Sequence, residues 1–362
     1  MRTNSYKQLR SRLVNMAKKD RRPILGHFEL TARCNLDCKM CYVHTQDNAE
    51  ALKRELTTEQ WKNIFDEAYD AGMIYASLSG GECLIRKDFK DLYLYLWNKK
   101  IYVTVLTNGT MLNDDYVEFF KTYPPDVIQI SLYGSNEDAY LNVTGHKGFE
   151  KALYAISSLN SSNIDVRVAI TPSKYMREDF VNIVRLCKDN GFYFLNTDIL
   201  LIENRDDSSK DDYFLTHDEI VALSIERYEL FKKASPVIDA PLPGGTLSNA
   251  PERGLKCNAG TCLATVTWDG MMYPCYNAMV GGTSLLEYSY SDAWEIVSKA
   301  ASEVALGVEC AGCAYNETCP KCPSIRLKDY TSGHCKPSMC ELTHRLVSAG
   351  VKKIVKVESN CD

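Results

Sequence analysis

The chain has 362 residues, of which 45% are hydrophobic and 25% charged, and this composition is typical of a globular protein of roughly two domains. Its 42 basic and 47 acidic residues give a net charge of −5, which indicates no nucleic-acid partner and no anionic-membrane partner. No window is apolar enough to span a membrane, and the N-terminus lacks a secretory signal. We therefore expect a cytoplasmic protein.

A strand-then-helix pattern follows an expected N-terminal helical extension at residues 1–24. Six short segments between residues 25 and 235 are rich in β-branched and aromatic residues and are predicted strands. They are residues 26–32, 73–79, 101–107, 127–133, 166–171 and 192–201. Amphipathic helices lie between them; the one at 57–72 has Thr57 or Thr58 as its cap and Gly72 as its end. Because six strand–helix units are too few for a closed eight-stranded barrel, we predict an α/β fold, a partial (β/α)6 TIM-like barrel.

Two further regions complete the expected organisation. Residues 236–256 are rich in Pro, Gly and Ser and are a predicted linker. Residues 257–362 form a predicted small cysteine-rich domain with little regular structure and a C-terminal helix. In parallel barrels, ligands bind at the carboxyl ends of the strands.

The fifteen cysteines are grouped rather than scattered. Ten lie between Cys257 and Cys361, and another three form the motif Cys34-x3-Cys38-x2-Cys41 directly after the first predicted strand. In a reducing compartment, such grouping favours metal or cluster ligation over disulfides. Three thiolates hold three irons of a [4Fe–4S] cluster and leave the fourth iron open. A zinc site that includes the nearby His44 is the alternative.

The motifs after the first four predicted strands resemble those of the radical S-adenosylmethionine (SAM) superfamily. Besides the three-cysteine motif they are Ser79-Gly80-Gly81-Glu82, Thr107-Asn108-Gly109, Ser131-Leu132-Tyr133-Gly134 and Tyr140-x3-Thr144-Gly145 with Phe149. The resemblance implies that SAM chelates the open iron and that the reduced cluster cleaves it to methionine and a 5′-deoxyadenosyl radical. This radical then abstracts a hydrogen atom from the substrate.

The resemblance also implies a set of residues that bind SAM. Glu82 and the glycine backbone would hold the amino group, since a carboxylate pairs with an ammonium and glycine allows close approach. The alternative is a tight turn with a solvated Glu82. Arg167 pairs either with the SAM carboxylate or with a structural carboxylate such as Asp198. The expected SAM contacts are Tyr42, Gly80, Gly81, Glu82, Thr107, Asn108, Ser131 and Arg167.

Cys83, next to the motif glutamate, has two interpretations. Some radical enzymes that invert a stereocentre return a hydrogen atom from a cysteine thiol, which would make Cys83 or Cys335 catalytic. The alternative for Cys83 is a small buried core residue.

The C-terminal cysteines resemble the SPASM extension, which carries up to two auxiliary [4Fe–4S] clusters. The expected ligands are Cys257, Cys262, Cys275, Cys310, Cys313, Cys319, Cys322 and Cys340. Two residues separate Cys319 from Cys322, where the usual pattern has three. Cys262 either completes the first auxiliary cluster or leaves an iron open to a substrate thiolate, and Cys340 is favoured over Cys335 as the last ligand. Zinc is again the alternative.

SPASM relatives commonly modify ribosomally made peptides or proteins, so a peptide maturase is the first functional hypothesis. Oxidation or rearrangement of a small molecule, such as a sugar or aminocyclitol, is the second, and a non-catalytic iron–sulfur electron carrier is the third. Few residues precede the first strand, so we expect any leader recognition to need a separate protein. A flavodoxin- or ferredoxin-type protein is the expected reductant.

Overall fold

A computed structural model describes residues 4–43, 48–196, 213–231, 257–304 and 337–350. The described strands are β1 (Leu25–Glu29), β2 (Tyr75–Ser79), β3 (Tyr102–Thr107), β4 (Val127–Ser131), β5 (Val166–Ile170), β6 (Phe194–Asn196), β7 (Leu263–Val266), β8 (Met271–Tyr273) and β9 (Thr283–Ser284). The described helices are α1 (Asn4–Asp20), α2 (Asn48–Arg54), α3 (Thr58–Asp70), α4 (Phe89–Asn98), α5 (Asp114–Thr122), α6 (Glu137–Thr144), α7 (Phe149–Ser161), α8 (Phe180–Asp189), α9 (His217–Phe231), α10 (Tyr290–Glu303) and α11 (Pro337–Ser348).

These strands form one open sheet in the order β6-β5-β4-β3-β2-β1-β7-β8-β9. Neighbours from β1 to β6 are parallel and follow the chain order, which confirms the predicted partial barrel. β7 lies on the free side of β1 and is parallel to it, with Leu25 opposite Leu263. Within the described ranges β6 and β9 are the edges of the sheet, so it is not closed.

Residues 257–304, the described start of the cysteine-rich region, contain three short strands and one helix. β7 and β8 form an antiparallel hairpin, which β9 and then α10 follow. The hairpin turns at Asp269-Gly270, where Gly270 has a positive φ of 87°. Asp-Gly between two apolar runs is a hairpin signal, so the sequence carried this information locally.

The side chains of β1 to β5 alternate between two faces. One face packs against the helices in a core that includes Phe28, Leu78 and Val105. Opposite it lies a face that we call the inner polar face, with Ser77 beside Thr104 and Gln129 beside Arg167 in register. Its members are His27, Glu29, Ser77, Thr104, Gln129 and Arg167.

Helix α3 shows how local sequence determines an element boundary. The Thr57 hydroxyl accepts a hydrogen bond from the Gln60 amide, and the Gln60 side chain accepts one from the Thr57 amide, a capping box that confirms the predicted start. Gly72, with φ of 98°, follows the end of the helix. Trp61 and Phe65 of this helix pack around Phe28 of β1.

Several predicted features lie outside the described ranges. They are the linker at 236–256, the end of the sixth predicted strand at 197–201, and His44, Asp198, Cys310, Cys313, Cys319, Cys322, Cys335 and Cys361. In the described part of the chain, no helix combines the length and apolarity needed to cross a membrane.

Candidate active site

The loop after β2 packs directly on the loop after β1 that leads to the cysteines. The Gly81 amide donates a hydrogen bond of 2.8 Å to the Thr31 carbonyl, and the Glu82 amide donates one of 2.9 Å to the Arg33 carbonyl. Gly80 has φ of 135°, and a Cβ there would lie 2.2 Å from the Thr31 oxygen. The glycines are therefore required for the contact between these two loops.

Glu82 connects the loop after β2 to the end of β3. Its carboxylate is fully buried and accepts hydrogen bonds from the Asn108 amide (2.7 Å), the Leu84 amide (3.0 Å) and the Thr107 hydroxyl (2.8 Å). Burial raises the pKa of Glu82, although these hydrogen bonds act in the opposite direction. Orientation of the SAM amino group by Glu82 remains a prediction.

Asn108 extends this connection to the cysteine loop. Its side-chain nitrogen lies 3.8 Å from the Cys34 sulfur and donates a 2.9 Å hydrogen bond to the Asn35 side chain. The Leu36 amide nitrogen lies 3.4 Å from the same sulfur. Two N–H donors thus point at Cys34 Sγ.

The three motif cysteines are half-buried and close enough to influence one another electrostatically. Burial raises the pKa of Cys34 to about 12, and burial together with the charges of Cys41 and Cys34 raises the pKa of Cys38 well above its ordinary value. Three thiols in one loop, with N–H donors at a sulfur, fit the ligand set of an iron–sulfur cluster. Among the residues that the structure describes, no three His, Cys, Asp or Glu side chains converge as ligands of a single metal ion.

Two predicted SAM contacts, Tyr42 and Ser131, each lie beside an aromatic residue. Tyr42 follows the last motif cysteine, and its ring centre lies 5.8 Å from that of Tyr276. Ser131, at the end of β4, is hydrogen-bonded to the hydroxyl of Tyr133. Burial and, after it, the charge of Cys38 raise the pKa of Tyr133, so this region lies within electrostatic reach of the cysteine loop.

Arg167 and Cys83 have well-defined surroundings. Arg167, on the inner polar face, lies 3.5 Å from Asp165 and over the ring of Tyr193. Cys83 is fully buried in the main core, and its thiol donates to the Leu106 carbonyl at 3.3 Å. This burial agrees with the structural interpretation of Cys83, and its role as a hydrogen-atom donor remains a prediction.

Three of the predicted auxiliary ligands have described side chains. Cys257 and Cys275 pack against one small group of buried alanines. Cys262 packs instead against Val14 and Ile24, and burial raises its pKa to about 11. The charge of Cys257 also raises the pKa of Cys262, so the two side chains lie within electrostatic reach of each other. Cys340 lies in α11.

The structure also reveals an ion-pair network that sequence reasoning missed. Arg33, directly before Cys34, donates two hydrogen bonds of 2.8 and 2.9 Å to Glu55, whose side chain is only 4% exposed. Thr31 also donates to Glu55, and Arg86 lies 3.6 Å from it. This network anchors the start of the cysteine loop, and no local motif signals it because its members come from three separate loops.

The chain matches the Radical SAM superfamily over residues 28–211, about half of its length, and therefore belongs to this superfamily. The resemblance stated from the motifs is confirmed. Members of this superfamily use a [4Fe–4S] cluster and SAM, and both are accordingly the cofactors of this enzyme.

Three similar proteins illustrate the range of relatives. The chain is 27% identical to the AdoMet-dependent heme synthase of Methanosarcina barkeri, over 83% of the chain and 91% of that protein. It is 35% identical to the antilisterial bacteriocin subtilosin biosynthesis protein AlbA of Bacillus subtilis, over 41% of the chain and 33% of that protein. SuiB of Streptococcus suis, solved with S-adenosylmethionine, has the same fold, with a TM-score of 0.67, 18% identity, and coverage of 94% of this chain and 84% of SuiB.

Proposed function

We propose that this enzyme modifies a ribosomally synthesised peptide or protein by radical chemistry, through a crosslink, an epimerisation or an oxidation. The observation that carries the proposal is the inner polar face, where half-buried Ser77, Thr104, Gln129 and Arg167 line the face of the sheet opposite the main core. A peptide presents amide groups along its whole length, and such groups need polar partners when they are bound. The 35% identity to a bacteriocin biosynthesis protein supports the same substrate class.

In this proposal the chain holds and orients its cofactors. Cys34, Cys38 and Cys41 would hold the [4Fe–4S] cluster, which would supply the electron for cleavage of SAM. The SAM contacts are those expected from the sequence. The hydrogen bonds from Asn108 to Glu82 and to the Cys34 sulfur hold the loops after β2 and β3 against the cysteine loop.

We further propose two auxiliary [4Fe–4S] clusters and a flavodoxin- or ferredoxin-type reductant; if the peptide has a leader that is recognised, a separate protein recognises it. The auxiliary ligands are the eight C-terminal cysteines expected from the sequence. The domain boundaries given above and a cytoplasmic location belong to the same proposal.

An iron porphyrin is the second candidate substrate. The observation that favours it is the 27% identity to a heme synthase over 91% of that protein. Arg167 on the inner polar face would suit a porphyrin carboxylate, whereas the remaining polar side chains suit peptide amides better.

The test is an anaerobic reaction of the reconstituted enzyme with SAM, dithionite and short peptides encoded beside its gene. We expect a mass change in one peptide and 5′-deoxyadenosine formation that depends on this peptide. Deuterium transfer from a labelled peptide to 5′-deoxyadenosine would identify the attacked position. Modification of an iron porphyrin, with every peptide unchanged, would overturn the proposal.

A further inference from the structure

Helix α6 is attached through its C-terminal end to the loop that carries Cys38. The Asp37 amide donates a 2.8 Å hydrogen bond to the Thr144 carbonyl, and the Lys39 amide donates one of 3.0 Å to the Val143 carbonyl. Gly145, with φ of 73°, ends the helix, and a Cβ there would lie 3.2 Å from the Asp37 oxygen. The residues on both sides of Cys38 are therefore fixed to α6.

Tyr140 lies one turn before this contact and is held rigidly. A Cβ on Gly134 would lie 2.3 Å from the Tyr140 backbone nitrogen, and one on Gly148 would lie 3.2 Å from its ring. The side chain is fully buried. Two glycines therefore leave just enough room for this residue, and the ring has little freedom to move.

The Tyr140 hydroxyl has no hydrogen-bond partner among the described residues. A buried hydroxyl without a hydrogen-bond partner destabilises the folded chain, so such a group indicates a role other than packing. After burial, the charges that raise the pKa of Tyr140 are, in order, those of Cys38, Tyr133, Glu82 and Cys34. The hydroxyl thus lies within electrostatic reach of two motif cysteines and remains a proton donor at neutral pH.

We propose that Tyr140 is a positioning residue of the first cluster, and that its hydroxyl donates a hydrogen bond to a cluster sulfur on the Cys38 side. Hydrogen bonds to cluster sulfurs stabilise the more negative, reduced form and so raise the reduction potential. Tyr140 would then make the electron transfer that precedes SAM cleavage easier. The inference rests on the assignment of the cluster to Cys34, Cys38 and Cys41.

The test uses Tyr140→Phe, which removes only the oxygen atom. In an anaerobic redox titration followed by electron paramagnetic resonance, we expect a lower midpoint potential for the variant. The ratio of reduced to oxidised cluster at a fixed potential should fall roughly tenfold, which is about 59 mV for one electron. The reduced wild-type cluster should also show a strongly coupled, deuterium-exchangeable proton that the variant lacks.

Tyr290→Phe is the matched control. Tyr290 is also fully buried, and its hydroxyl likewise has no hydrogen-bond partner in the part of the chain that the structure describes, but burial alone raises its pKa. Both variants should leave the cluster-free chain as stable as the wild type or more stable, because each removes an unsatisfied hydroxyl. Only Tyr140→Phe should change the potential and the proton coupling.

Two results would overturn the inference. An unchanged potential in Tyr140→Phe, or an equal shift in Tyr290→Phe, would contradict it while leaving the proposed function intact. A wild-type protein that reconstitutes no [4Fe–4S] cluster would instead remove the basis of both proposals. Iron content and the spectrum of the wild type distinguish these two cases.

Discussion

Cys34, Cys38 and Cys41 differ from Cys187 in the surroundings of their sulfur atoms. The three motif thiols are half-buried in one loop and interact electrostatically, whereas Cys187 is fully buried in the main core between α8 and the sheet. This difference agrees with the prediction that the three motif cysteines are ligands and that Cys187 is a packing residue. The thiolate form needed for ligation is costly in a buried position unless iron binds it, so we expect cluster binding to release protons.

Each of the variants Cys34→Ala, Cys38→Ala and Cys41→Ala should abolish 5′-deoxyadenosine formation, with activity at least 100-fold lower because the cluster loses a ligand. Anaerobic assays with SAM and dithionite, read by chromatography, measure this. Cys187→Ala is the control and should retain cleavage. Full activity in any one motif variant would contradict the assignment.

Glu82 should make stability depend on pH in an unusual direction. Its folded-state pKa lies above the ordinary value of 4.5, so the folded chain binds this proton more tightly than the unfolded chain. Its favourable contribution is complete below pH 4.5 and is lost as pH rises through the folded-state pKa. Unfolding of cluster-free wild type and Glu82→Gln across this range measures the difference. Parallel pH profiles would show that Glu82 ionises normally.

At the scale of elements, the contact between the loops after β1 and β2 depends on a glycine that cannot be replaced. Gly80→Ala combines a strained φ with a Cβ 2.2 Å from the Thr31 oxygen. Gly72→Ala is the matched control, because its φ is also positive but nothing lies within 4 Å of the added Cβ. We expect Gly72→Ala to cost about 1–3 kcal/mol of stability and Gly80→Ala to cost more and to lower iron content. Equal effects in denaturant unfolding and iron analysis would contradict this.

The Arg33–Glu55 pair should also matter more than the surface pairs. Glu55→Gln removes the charge that two arginines face in a site where the carboxylate is 4% exposed. We expect a loss of about 3 kcal/mol in the free energy of unfolding, measured with denaturant. Glu118→Gln breaks the exposed pair with Lys121 and should cost about 0.5 kcal/mol or less. Similar costs for both variants would show that the network does not anchor the cysteine loop.

At the scale of the whole molecule, the number of clusters is the quantity to measure. Three [4Fe–4S] clusters predict about twelve irons in the reconstituted wild type and about eight in the triple Cys34/Cys38/Cys41 alanine variant. Iron and sulfide analysis after anaerobic reconstitution measures both. About eight and four irons would mean a single auxiliary cluster, and zinc in place of iron would contradict the cluster assignment.

The sequence predicts features that local patterns encode. Short segments of sequence determine the alternation of strands and helices, the cap at Thr57 and the motifs at strand ends. The partial barrel can therefore be predicted from them. The pairing of β7 with β1 does not follow, because it joins residues far apart in the chain. The Glu55 network and the attachment of α6, the helix that contains Tyr140, to the cysteine loop depend on tertiary contacts in the same way.

The position of β1 between β2 and β7 has a consequence for the order of folding. During synthesis β1 can pair with β2 soon after β2 leaves the ribosome. The other edge of β1 stays unpaired until residues 263–266 of β7 have been made. Contacts between distant segments form slowly, and an open strand edge invites association with other chains. The cysteine loop follows β1 directly. Among the described parallel strands, the edge of β1 that pairs with β7 is therefore the last to gain its partner during synthesis.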